Sequence, residues 1–148
     1  MALGMAGVSF KVAYIIQAYN RGSVANRVLS WPNLTMTSAV IANLHKLIGT
    51  PRDGALLRFS LGSEYLKSGD AHNAQLQFAV AVARDPAYSA AWKLLGRALA
   101  ETGQPQAAFD AWRQGIAVAE AKGDKQAARE MTVFARRIEQ QLSEAQKR

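Results

Sequence analysis

The sequence predicts an all-α fold: antiparallel helix hairpins repeated as a short α-solenoid, closed by a long C-terminal capping helix. Three observations predict it. Displaced on itself by 34 residues, the chain places Leu61 on Leu95, Gly62 on Gly96, Gly69 on Gly103, Ala74 on Ala108, Phe78 on Trp112, Val82 on Ile116 and Ala83 on Ala117. Apolar residues recur at helical spacing between these landmarks. Glycine and proline fall where helices would have to stop. Self-similarity at a fixed period of this length marks a stacked repeat architecture, because a helical period alone does not align two glycines and two small residues at one offset.

The first helix is predicted in SAVIANLHKLIG, ahead of Thr50-Pro51, with Val40, Leu44, Leu47 and Ile48 as its inner face. It is expected to cap the first repeat. The first unit, about residues 53–86, begins with a helix apolar at Leu57, Leu61, Tyr65 and Leu66, with Asp53 as its candidate N-cap. Ser68-Gly69-Asp70 makes the turn. A second helix is apolar at Ala74, Phe78, Ala81 and Val82, and Asp85-Pro86 ends it, since proline cannot continue the ladder and disfavours helix before it. The second unit, about 89–121, repeats the scheme: Ser89 is the candidate cap, Gly103 makes the turn, and Pro105 stands near the start of the next helix, where its missing N–H costs least.

The repeat then stops, because Arg129 and Glu130 stand where Leu and Gly would recur. Gly123-Asp124 makes a turn and an N-cap for the capping helix, about 124–146. Its stripe is Ala127, Met131, Phe134 or Ala135, Ile138 and Leu142, with charged residues on its other faces. A solenoid end needs such a soluble outer face. Residues 36–148 are thus expected to form one helical domain.

Residues 1–35 are expected to be a poorly ordered, targeting or artefactual extension. The first 52 residues contain no Asp or Glu and carry Lys11, Arg21, Arg27, Lys46 and Arg52, a composition like an organellar presequence. Met36 opens a more ordinary run. Lys11 interrupts the apolar stretch Ala2–Tyr19, so a membrane span is disfavoured. A cytoplasmic location is expected, with organellar targeting by residues 1–35 as the alternative.

Composition and motifs exclude most chemistry. The chain has 148 residues, 49% of them apolar and 20% charged, with no cysteine and only two histidines. Thiolate metal sites, disulfides and cysteine nucleophiles are therefore absent. No phosphate loop, dinucleotide fingerprint, zinc-protease helix or nucleophile elbow occurs, and the carboxylates are dispersed. No catalytic, cofactor or metal residue is expected, so the chain is read as not an enzyme. His45 and His72 are expected at the surface. The net charge of +7 belongs mostly to the first third, since residues 53–148 hold all eleven acids against thirteen bases. A nucleic-acid partner is therefore disfavoured, and Trp92, Trp112, Tyr65 and Phe78 read as repeat core rather than base-stacking platforms.

The two units resemble the tetratricopeptide repeat family, whose pattern is W-x2-L-G-x2-Y, then A-x3-F, then P. The first unit supplies Leu61, Gly62, Tyr65, Ala74, Phe78 and Pro86; the second supplies Trp92, Leu95, Gly96, Ala108 and Trp112. Arg58 replaces the first aromatic, Leu99 the tyrosine and Glu120 the closing proline. The resemblance implies a protein–protein interaction module, an adaptor or scaffold, with a concave groove lined by the first helices of each unit. By the family's groove positions these are Phe59, Ser63, Leu66 and Lys67, then Lys93, Arg97, Ala100 and Glu101, with Arg129 from the capping helix. Such a groove would have an apolar end at Phe59 and a basic middle at Lys93 and Arg97. It would suit a peptide or helix with acidic residues or a free carboxylate. Phe59, Ser63 and Leu94 stand where chaperone-docking members carry Lys and Asn, which disfavours that mode. The alternative function is a self-assembling scaffold, or a membrane- or organelle-targeted assembly factor using the N-terminal segment.

Overall fold

The structure, a computed structural model, describes residues 36–148; the expectations for residues 1–35 lie outside the described residues. Six helices and no strand occur among the described residues: α1 (Met36–His45), α2 (Ala55–Lys67), α3 (Ala71–Arg84), α4 (Ser89–Glu101), α5 (Pro105–Ala121) and α6 (Lys125–Gln146). Each helix packs chiefly on its neighbours in the chain, as a solenoid requires.

Three of the turns share one chemistry. Gly69, Gly103 and Gly123 adopt φ of 80°, 73° and 76°, a conformation that costs glycine nothing and other residues much. After each glycine the next N–H reaches back five residues: Asp70 to the Tyr65 carbonyl, Gln104 to Leu99 and Asp124 to Ala119, at 2.9, 2.9 and 2.8 Å. This closure satisfies carbonyls that a helix end would otherwise leave open. Asp70 and Asp124 then cap the following helices by accepting the Asn73 and Ala127 N–H groups, each at 3.0 Å. Pro105 opens α5.

Two expected caps are corrected. Gly54 stands at the N-cap of α2, and Ser89 is the first residue of α4, behind Tyr88; neither start has a side-chain cap bond. Asp53 is otherwise engaged. Its carboxylate takes both Arg58 Nε at 2.7 Å and Arg58 Nη2 at 2.8 Å, and also receives the Gly49 N–H and Arg84. Arg84 also donates to the Asp53 main-chain carbonyl. Arg58 is 3% exposed and reaches Gln77 Oε1 at 3.1 Å. The buried guanidinium thus occupies in the first unit the place that Trp92 fills in the second, and Asp53 is its counter-charge. Burial alone would raise the Asp53 carboxyl, but hydrogen bonds from Arg58, Gly49 and Arg84 outweigh it and hold the carboxyl well below the usual carboxylate range.

The core runs through all the repeats. Leu61, Phe78, Val82, Leu95, Leu99 and Met131 are fully buried, each such side chain contributing about 1.5–3 kcal/mol. The small residues are there for ring space. A Cβ at Gly62 would stand 2.7 Å from the Phe78 ring, and one at Gly96 would stand 2.6 Å from Trp112 Cδ1. Each glycine therefore admits the aromatic of the next helix. Gly115 does the same for Met131, with Trp92 Cβ 2.9 Å from where its own Cβ would be. On α6, Ala128, Met131, Ala135 and Ile138 are buried. Ala135 therefore takes the inner position, while Phe134 remains 40% exposed.

The N-terminal cap differs from expectation in two places. Val40 points outward at 45% exposure, and Ile41 takes its place beside Leu44, Leu47 and Ile48 against the core; helix α1 ends at His45, so Leu47 and Ile48 reach the core from the turn that follows it. His45 is not a plain surface histidine. It is hydrogen-bonded to the Tyr65 hydroxyl at 2.6 Å, with the rings edge to face. Burial, and then the nearby Arg58 charge, lower its pKa. The unfolded chain therefore binds this proton more readily than the folded one. The stabilisation is complete above the unfolded value of about 6.5 and is lost as pH falls through the lower folded value. Amide exchange in α1, corrected for intrinsic rates, is expected to quicken between pH 7.5 and 5, and His45→Asn to flatten that dependence. A wild-type profile independent of pH would count against this reading.

Candidate functional site

Helix α4 turns Trp92, Leu95 and Leu99 into the core. One turn apart on its other side stand Lys93, Arg97 and Glu101, a spacing that places them in one row. Together with Leu94 and Ala100 of α4, Trp112 of α5, and Glu130 and Phe134 of α6, they line a recess of about 530 Å³. Its floor is apolar. The Trp112 and Phe134 rings lie 5.5 Å apart at 32°, and the Trp112 indole N–H donates to the Lys93 carbonyl at 3.1 Å. That bond pins the main chain of α4 beside the recess.

The rim is charged, and its charges are paired. Lys93 Nζ donates to Glu130 Oε2 at 2.9 Å, across from α4 to α6. Gln126 holds the other Glu130 oxygen at 3.2 Å. The Lys93 hydrogen bond, then that from Gln126, then the Lys93 charge lower the Glu130 pKa. Arg97 Nε reaches Glu101 Oε1 at 2.8 Å, both side chains being exposed. Exposed pairs of this kind contribute little stability, roughly 0–1 kcal/mol.

Of the residues expected in a groove, the structure therefore brings together Lys93, Arg97, Ala100 and Glu101. Phe59, Ser63, Leu66 and Lys67 lie along α2 and do not line this recess. Phe59 packs against Phe78 and Tyr88 at 5.8 and 4.8 Å. Ser63 turns its hydroxyl back to the Phe59 carbonyl, Leu66 leans on the core, and Lys67 pairs with Glu64. Arg129 is exposed outside the recess, whose wall is formed by its neighbour Glu130. Four lining residues were not expected there: Leu94, Trp112, Glu130 and Phe134. One signal for them exists in the sequence, since Phe134 stands 34 residues beyond Ala100.

The TPR repeat-containing protein PA0015 of Pseudomonas aeruginosa is 48% identical to this chain over 100 residues, which span 68% of the chain and 95% of that protein. The chain belongs to the tetratricopeptide repeat family. Tetratricopeptide proteins are generally non-catalytic and generally bind protein partners. The solution structure of protein BPP2914 from Bordetella parapertussis is similar at a TM-score of 0.60 and 35% identity, covering 69% of this chain and 89% of that one. No family model matches the chain, whose repeats depart from the tetratricopeptide pattern at Arg58, Leu99 and Glu120. No helix among the described residues is long and apolar enough to cross a membrane.

Proposed function

We propose that the chain is an adaptor that holds a polypeptide segment against the recess beside α4 and has no catalysis of its own. The observation that carries this reading is the recess itself: an apolar floor of Leu94, Ala100, Trp112 and Phe134 under a row of half-buried Lys93 and exposed Arg97 and Glu101. An extended or helical segment with acidic residues, or a terminal carboxylate, matches Lys93 and Arg97, while its apolar side chains match the floor. The α2 residues Phe59, Ser63, Leu66 and Lys67 continue the same face toward the N-terminus in this reading.

Retention of a peptide library by the wild type and by a Lys93→Glu, Arg97→Glu variant tests it. The double variant is expected to lose acidic peptides about tenfold, a change of roughly 1.4 kcal/mol. Its fold is expected to persist, because Trp112 bonds the main chain of Lys93 and not its side chain. The same peptides held equally by both proteins would remove the reading.

A further inference from the structure

We propose that the Lys93–Glu130 ion pair is an exchangeable strap over the recess. The partner segment enters by putting its own carboxylate in place of Glu130, with a large apolar side chain beside it on the Trp112–Phe134 floor. This deepens the groove reading and rests on it.

Four observations carry it. The pair joins α4 to α6 across 37 residues of chain at 2.9 Å, whereas those helices otherwise meet sparsely. Both ends face solvent in part, at 32% and 41%, so a second carboxylate can reach the ammonium without unpacking the core. The root of Lys93 is fixed by the Trp112 indole, so the lysine can change partners while α4 stays in place. Glu130 is steadied from behind by Gln126, which keeps a carboxylate over the recess when no partner is bound. Arg97, one turn along and paired among the described residues with the exposed Glu101, offers a second cation to a segment with two acids. The chemistry of the occupant follows by complementarity: the protein's own carboxylate already sits at the lysine, beside an apolar floor that it does not fill.

The test uses the full chain and an array of ten-residue peptides. Each peptide sets one Asp or Glu beside Leu, Phe or Trp, and each has a twin with Asn or Gln in place of the acid. Glu130→Gln is expected to retain the acidic members two- to fivefold more strongly than the wild type, as removal of an exposed competing pair implies. The amide twins should be unchanged. Glu139→Gln, which alters net charge equally at an exposed position further along α6, should match the wild type. Equal retention by Glu130→Gln and wild type overturns the strap, as does an equal gain with Glu139→Gln; both leave the groove standing. Undiminished retention by the Lys93→Glu, Arg97→Glu variant overturns the groove. No acidic member held above its twin by wild type or by Glu130→Gln overturns both.

Discussion

Replacing Asp53 with Ala should lower the stability of the folded chain by about 3–5 kcal/mol, the usual effect of breaking a buried ion pair on one side. Arg58 would keep its bond to Gln77 but lose a two-point carboxylate contact in a place almost closed to water. Taking an ion out of water costs several kcal/mol, and the carboxylate is what offsets that. The Gly49 N–H and Arg84 would lose the same acceptor. Urea unfolding curves for wild type and variant give the difference directly from their midpoints. Pairing the change with Arg58→Met should recover most of the loss, because an apolar side chain of similar length suits the slot that Trp92 fills in the second unit. If the double variant is no more stable than Asp53→Ala, burial of the guanidinium is not the cause. The pH dependence has a definite sign. The folded carboxyl is held low, so its contribution is complete above the unfolded value of about 4 and drains away as pH falls below it.

Gly96→Leu should cost about 3 kcal/mol, at the upper end for overpacking. Even the first added carbon would lie 2.6 Å from Trp112 Cδ1 and closer still to Nε1, and Trp112 cannot swing away. Its indole N–H is bonded to Lys93, and Phe134 lies against its ring. Two packed helices would have to part instead. The same variant should therefore deform the recess, and weaker peptide retention should accompany the lowered urea midpoint. Gly96→Ala combined with Trp112→Leu tests the cause, since a coupling of roughly 0.5–3 kcal/mol is expected between residues in such contact. Simple additivity would show that the glycine is needed for something other than room for the indole.

Much of this fold is legible in the sequence because local chemistry and repeat period agree. The glycine turns, the Asp124 cap and the opening Pro105 depend on a few adjacent residues, and the structure shows them where the residues place them. What escaped detection depends on partners distant in the chain. Asp53 looks like a cap until Arg58 and Arg84 claim its carboxylate. His45 looks like a surface residue until Tyr65 arrives from 20 residues away. Gly115 has Ala81 as its counterpart one period earlier, so no paired glycine marks it, and only the packing of Met131 and Trp92 gives the reason for it. Within the recess, the α4 row follows from the groove positions that the family resemblance implies. The α6 side does not, because at Arg129 and Glu130 the leucine–glycine pair that carries the register is lost.

The placement of a guanidinium in one unit and an indole in the other makes the two ends of this small array answer to different conditions. The N-terminal end buries titrating groups in its core, Asp53 with Arg58 and His45 with Tyr65; at the C-terminal end the buried positions are hydrocarbon and rings, and the titrating pair Lys93–Glu130 lies at the partly exposed rim. Acid thus acts on this molecule directionally. It is expected to loosen the front hairpin and its leading helix first, ahead of the surface bounded by the last three helices, where the proposed groove lies.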